Sequence, residues 1–262
     1  MPKKSATAAP IMDNPDVQEL LSILKQHDSP GLLDLRAILS QVTAMEQQLE
    51  ATVKELAAMR RDLAEAERRN HPIKNTLQKA VISMQAQVLD LRDKLGQLKQ
   101  AVINGCRNAV AAFKEKGITA LDNLARFFKV RPILEALHTG ADKAAHTADR
   151  AVTNIETASA RYHEAGRNIK NAGRALTGKE AIQDAKPQGV ISKAFALPCR
   201  AVGAGCRNIR NRAVITVSKL KQLEEKAKPS VYKEMEKHNE QIQREERAAP
   251  KRTRGKSAPD IS

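Results

Sequence analysis

His138, Asp142, His146 and Asp149 follow one another at spacings of four, four and three residues. On a helix this spacing draws two imidazoles and two carboxylates onto one narrow stripe, with the donor types that hold a divalent metal. The stripe falls off the apolar seam of its own helix, on the side expected to face solvent. No second cluster of histidines and acids is present to complete a shell, so no metal site is expected. Cys106, Cys199 and Cys206 all occupy apolar helical positions. Cys199 and Cys206 stand two turns apart, about 10 Å along a helix axis, which is too far for a bridge within that helix. All three read as buried, reduced thiols. The chain carries no glycine-rich phosphate loop, nucleophile elbow or Cys–His pairing. These absences predict a non-enzymatic protein with no cofactor and no small-molecule substrate.

Charge is the other candidate chemistry. The chain of 262 residues has a net charge of +15, unevenly placed. Residues 72–131 and 179–228 each hold eleven bases against four acids. No acid occurs between Asp184 and Glu224. Lys186, Lys193, Arg200 and Arg207 recur there every seventh residue, joined by Arg210 and Arg212. On one helix they form a basic flank able to contact nucleic-acid phosphate or anionic lipid. Lys193, Arg200, Arg207, Arg210 and Arg212 are therefore the candidate nucleic-acid-binding residues. The competing reading is a solvated helix face whose bases pair with acids of neighbouring helices. Membrane-surface contact has the least support, resting on Phe113, Phe127 and Phe128 beside a basic face. Base stacking is not expected, because the chain has no Trp, four Phe and two Tyr.

The elements that must position these residues are legible from a seven-residue repeat. Asn14-Pro15-Asp16 is a helix opening, with a capping side chain, a first-turn proline and an acid on the dipole. Its helix runs to about His27, and Ser29-Pro30-Gly31 opens a longer one. There Leu35, Val42, Leu49, Leu56 and Leu63 take a, while Ile38, Met45, Thr52, Met59 and Ala66 take d. Asn70-His71-Pro72 interrupts the pattern. It resumes with Leu77, Met84, Leu91 and Leu98 at d and Val81, Val88, Leu95 and Val102 at a. A tight helical hairpin is favoured here, with a stutter in one continuous rod as the alternative. Gly117 is expected to end this helix as a left-handed cap, and a short amphipathic helix follows to Phe128. Beyond Arg131-Pro132, Leu134, Ala141, Ala148, Ile155, Tyr162, Ile169 and Leu176 take a; Leu137, Ala144, Ala151, Ala158, Ala165 and Ala172 take d. A last repeat runs from Phe195 through Cys199, Val202, Cys206, Ile209, Ala213, Thr216 and Leu220 to Leu223. Gly-Cys-Arg-Asn occurs at 105–108 and again at 205–208, and reads as coincidence because the flanks sustain no repeat.

The expected fold is all-α: an elongated antiparallel helical bundle, or coiled coil, with additional C-terminal helices. Similar lengths of the three long helices suggest a three-helix bundle. The expected organisation is a disordered lead over 1–13, a long-helix bundle over 14–178, a linker over 179–189, a basic helical region over 190–247 and a disordered basic tail over 248–262. No stretch approaches the roughly 18 apolar residues of a membrane span, and residues 1–10, without an apolar core, are not expected to act as a secretory signal. The expected setting is cytoplasmic, and the expected partner is another protein or a second copy, met through helical seams.

Several segments resemble a known family. They are Asn14-Pro15 with Gln18-Glu19-Leu20, Ala44-Met45-Glu46-Gln47-Gln48-Leu49-Glu50, Ala112 to Ile118 with Ala120-Leu121 and Arg126-Phe127-Phe128, and Tyr162-His163-Glu164-Ala165-Gly166 leading to Gly178-Lys179-Glu180. Together they are similar to a family of helical coiled-coil proteins, a domain of unknown function, found in gut Clostridia and related Firmicutes and often on mobile elements. The resemblance covers about residues 12–250. It implies a bacterial cytoplasmic setting and an accessory role beside mobile DNA, with no activity, cofactor or binding residue to carry over.

Overall fold

A computed structural model describes residues 10–68, 74–183, 190–226 and 239, with the side chains of 190–194 left aside. Helix α1 spans Pro15–Gln26, α2 Gly31–Arg68, α3 Lys74–Lys116, α4 Arg131–Leu176 and α5 Val190–Lys226. The Asn14 side chain accepts from the amides of Asp16 and Val17 at 3.0 and 3.4 Å, with Pro15 in the first turn, as its residue types predict. Folded chain begins earlier than expected: Ile11–Asp13 is a 3-10 turn that buries Ile11 completely. No helix among the described residues is long and apolar enough to cross a membrane.

The four long helices run up, down, up and down. Lys99 Nζ of α3 lies 2.8 Å from Glu46 Oε1 of α2. In a continuous rod those residues would be roughly 80 Å apart, so α2 and α3 form the hairpin; its turn, 69–73, lies outside the described residues. Gln87 Nε2 donates to Thr147 Oγ1 at 2.9 Å between α3 and α4. Arg207 Nη1 donates to Asp149 Oδ1 at 3.0 Å between α5 and α4, and Arg212 Nη1 to Gln41 Oε1 at 3.1 Å between α5 and α2. Each long helix thus packs along two neighbours, and α2 and α4 lie across the diagonal.

This corrects the three-helix bundle: α5 is a fourth wall packed along α2 and α4. The reason is seam width. Val202, Cys206, Ile209, Ala213, Leu220 and Leu223 are buried with the core of the other helices, and three helices alone would leave that face wet. The close approach expected of α4 from its d alanines is made to α5 at an a position, Ala148. A Cβ placed on Gly203 would stand 3.2 Å from Ala148 Cβ. The rest of the expected basic helical region beyond residue 226, except residue 239, and the expected tail over 248–262 lie outside the described residues.

The corner between α3 and α4 also differs from expectation. In place of one short helix there are two 3-10 turns, Ile118–Leu121 and Leu124–Phe127. Gly117 has φ +70° but ψ −160°, which is not the left-handed helical cap. The corner turns inward because Leu121, Leu124 and Phe128 plug the bundle end. Phe128 lies over Gly105, where any side chain would displace it. Helix α1 lies along the same end of α3, held by Asp16–Arg107 at 2.9 Å and Glu19–Lys114 at 2.8 Å.

Candidate functional site

Four of the five acids of α4 form a heptad of their own: Glu135, Asp142, Asp149 and Glu156. Three of them meet arginines of α5. Arg200 Nη2 donates to Glu156 Oε1, Arg207 Nη1 to Asp149 Oδ1 at 3.0 Å, and Arg210 Nη1 to Asp142 Oδ1 at 2.7 Å. The Arg210 hydrogen bond, aided by His146, Arg210 and His138 charges, holds the Asp142 carboxyl below its ordinary range against a smaller desolvation effect. His146 Nε2 stands 3.5 Å from Asp142 Oδ2. The acids of the His-Asp stripe therefore face guanidinium groups, and no group of three or more metal-donor side chains gathers among the described residues.

The candidate phosphate-binding residues do not form one face. Arg200, Arg207 and Arg210 line the α4–α5 edge, and Arg212 turns to Gln41 on the α2 side. The Lys193 side chain lies outside the described residues. What the sequence reasoning missed is the matching acid repeat on α4, which was visible in the sequence as the spacing 135, 142, 149, 156.

Candidate recognition geometry lies at the far end of α4. The bundle pairs above place the first described side chains of α3 and α5, Lys74 and Phe195, beside the turn around Ala160. The last buried α4 residue is Ser159. The heptad continues past that point for more than four further turns. Ile169 is 74% exposed and Leu176 90% exposed, with Tyr162 at 54%. The d positions Ala165 and Ala172 are followed by Gly166 and Gly173, and a Cβ on either glycine meets nothing within 4 Å. Arg161, Arg167, Lys170 and Arg174 stand on this segment against one acid, Glu164. After α4 the chain folds back on it: Asn171 accepts from the Ile182 amide at 2.8 Å, and Arg174 Nε donates to the Glu180 carbonyl at 2.6 Å. Both bonds fasten the overhang's last turns and leave Ile169 and Leu176 open.

Comparison with curated proteins and with solved structures finds no match. A family model does match residues 13–257, nearly the whole chain. The seams, corners and overhang described above are thus features of a chain that belongs to DUF6674, a family of unknown function.

Proposed function

We propose that this protein is a non-enzymatic helical adaptor that docks a helix of another protein on the α4 overhang. The observation that carries the reading is the a/d repeat of α4, which runs on to Leu176 past the first described side chains of α3 and α5. A seven-residue apolar repeat is matched by another helix with the same repeat. Base excess selects the occupant. A second copy would set Arg161, Arg167, Lys170 and Arg174 against themselves, whereas a helix with acidic flanks would neutralise them. Gly166 and Gly173 let such a helix approach closely. The bacterial cytoplasm and a mobile-element accessory role, as the clostridial resemblance implies, are the setting of this reading.

A synthetic probe tests it: an amphipathic peptide of about three heptads, Leu at a and d and Glu at e and g. Glutamate repulsion keeps the peptide monomeric. It is expected to bind the full chain by fluorescence anisotropy, and to lose binding to an Ile169→Asp/Leu176→Asp variant whose helicity is unchanged. The same peptide with Lys at e and g is expected not to bind. Equal binding of both peptides, or of neither, refutes the proposal. Light scattering that shows a dimer abolished by the double variant assigns the face to a second copy instead.

A further inference from the structure

The arginines that look available in the sequence are paired in the fold, and other cations, without a partner among the described residues, gather on a different side of α4. A groove of about 590 Å³ runs between α3 and α4, on a different side of α4 from the acid heptad. Its walls carry Lys79, Arg150 and Arg161, with Ser83, Asn154 and Thr157 among them. No carboxylate lines it among the described residues. Lys79, Arg150 and Arg161 are exposed and make no ion pair or hydrogen bond among the described residues. Below the groove, Asp90 is held by Lys94 at 2.6 Å. Glu164 stands one turn beyond Arg161 at the other end.

Register makes this a row. Lys143, Arg150, Asn154 and Arg161 fall within a few tens of degrees of one line along α4, because their separations of seven, four and seven residues approximate whole turns. Lys143 to Arg161 spans about 27 Å, the length of roughly eight base pairs at 3.4 Å per step. Charges so far apart cannot clasp one small anion; they suit a polymer of phosphates. The groove offers hydroxyls and an amide to phosphate oxygens. It has no bulky apolar side chain to insert into a lipid interface and no aromatic ring to stack an unpaired base.

We infer that the α3–α4 groove binds the phosphate backbone of double-stranded nucleic acid, without sequence selection, through Lys79, Arg150 and Arg161. The groove shares Arg161 with the basic flank of the overhang but none of its a/d residues, so the Ile169→Asp/Leu176→Asp variant is expected to bind duplex like the parent, which separates this inference from helix docking. The full chain is titrated by anisotropy against a mixed-sequence duplex of about 20 base pairs, from about 50 to about 200 mM salt. The expected result is binding that weakens steeply with salt. A Lys79→Gln/Arg150→Gln/Arg161→Gln variant is expected to bind at least about tenfold more weakly, with the log–log salt slope reduced by about two to three. These side chains are solvent-facing, so helicity should be unchanged. A charge-matched control, Lys25→Gln/Lys54→Gln/Lys116→Gln, is expected to bind like the parent. Absence of duplex binding overturns the inference, as does an equal loss in both triple variants. Loss confined to an Arg200→Gln/Arg207→Gln/Arg212→Gln variant overturns it by moving the contact to α5. Groove-dependent binding to vesicles of phosphatidylglycerol and phosphatidylcholine, with none to the duplex, overturns it in favour of a lipid surface.

Discussion

At the scale of single residues, Gly-Cys-Arg-Asn at 105–108 and at 205–208 does the same work twice. Gly105 lies under Phe128 and Gly205 against Thr52. Cys106 and Cys206 are fully buried. Arg107 reaches Asp16 and Arg207 reaches Asp149, each on a neighbouring helix. Read from sequence alone the repeat is a coincidence; packing gives each copy the same contact, thiol and ion-pair roles. Glycines then divide by environment. A Cβ at Gly105 would stand 2.6 Å from Phe128 Cδ1 and 2.9 Å from the Phe127 carbonyl. Gly105→Ala is expected to destabilise by about 1–3 kcal/mol through overpacking. Gly166→Ala and Gly173→Ala meet open space and should each stabilise by up to about 1 kcal/mol through helix propensity, while weakening partner docking. Thermal melts of the three variants check the opposite signs. The thiols make a pH prediction. Burial, with a smaller contribution from Asp16, pushes Cys106 up to about 12. Burial likewise lifts Cys199 to about 12 and Cys206 to about 11. An unfolded chain releases these protons from about pH 8.5, whereas the folded one retains them. The thiols' contribution is whole below that pH and is lost as pH rises towards 11–12, at about 1.4 kcal/mol per pH unit for each thiol. Urea midpoints from pH 8 to pH 10.5 should fall more steeply for the parent than for a Cys106→Ala/Cys199→Ala/Cys206→Ala variant, where lysine and tyrosine titration is common to both.

At the scale of elements, the α4–α5 edge is set by register more than by strength. Arg200, Arg207 and Arg210 are 54%, 40% and 33% exposed in their pairs, and such ion pairs contribute only about 0–1 kcal/mol each. What matters is that a one-turn slip would misalign every pair. Arg207→Asp should therefore lower the melting temperature by facing Asp149 with a like charge. Adding Asp149→Arg should restore it, with a coupling of about 0.5–1 kcal/mol in the double-mutant cycle; strict additivity would show that the pair sets nothing. This edge also marks how far a sequence can be read. The seams were legible residue by residue, because Leu, Val, Ile and Met at a and d have nowhere else to go. Which helices share a seam was not legible, since an apolar stripe names a face and not its neighbour. The acid heptad Glu135-Asp142-Asp149-Glu156 beside the basic run of α5 was the available signal for the fourth wall. The corner was misread because apolar periodicity over 118–128 is too short to tell a helix from two 3-10 turns pulled inward by Phe128. The overhang was half legible: periodicity placed Ile169 and Leu176 on the seam, but only the described ends of α3 and α5 reveal that the seam runs on past them. Nothing in the spacing of Lys79 relative to Arg150 and Arg161 shows that they face one groove, because that depends on the α3–α4 register.

At the scale of the molecule, the question is whether residues 14–178 and the basic C-terminal region are separate folding units. The helix α5 side chains argue for one unit. Val202, Ile209, Leu220 and Leu223 are at most 2% exposed, and they pack in the same cluster as Leu35, Val42, Leu137 and Ala144. Full burial of side chains of this size contributes about 1.5–3 kcal/mol each, so these four alone supply about 6–12 kcal/mol before chain entropy. Whole domains are stable by about 5–15 kcal/mol. Removing α5 thus takes away a contribution as large as the net stability and leaves the seams of α2 and α4 exposed to water. The expected outcome is one cooperative urea transition for the full chain, with circular dichroism and a core-facing probe coinciding. A fragment ending at residue 183 should lose that transition, bind a hydrophobic dye, and associate. A fragment that instead unfolds with the same midpoint as the full chain would establish a self-sufficient three-helix body, with α5 as an appendage. Charge gives the prediction a second side: Arg200, Arg207 and Arg210 leave Glu156, Asp149 and Asp142 unneutralised when α5 is removed. Asp142, held below its ordinary range by the Arg210 hydrogen bond, should make the intact bundle lose stability as pH falls through the acid range, a dependence that the fragment, without Arg210, should not share.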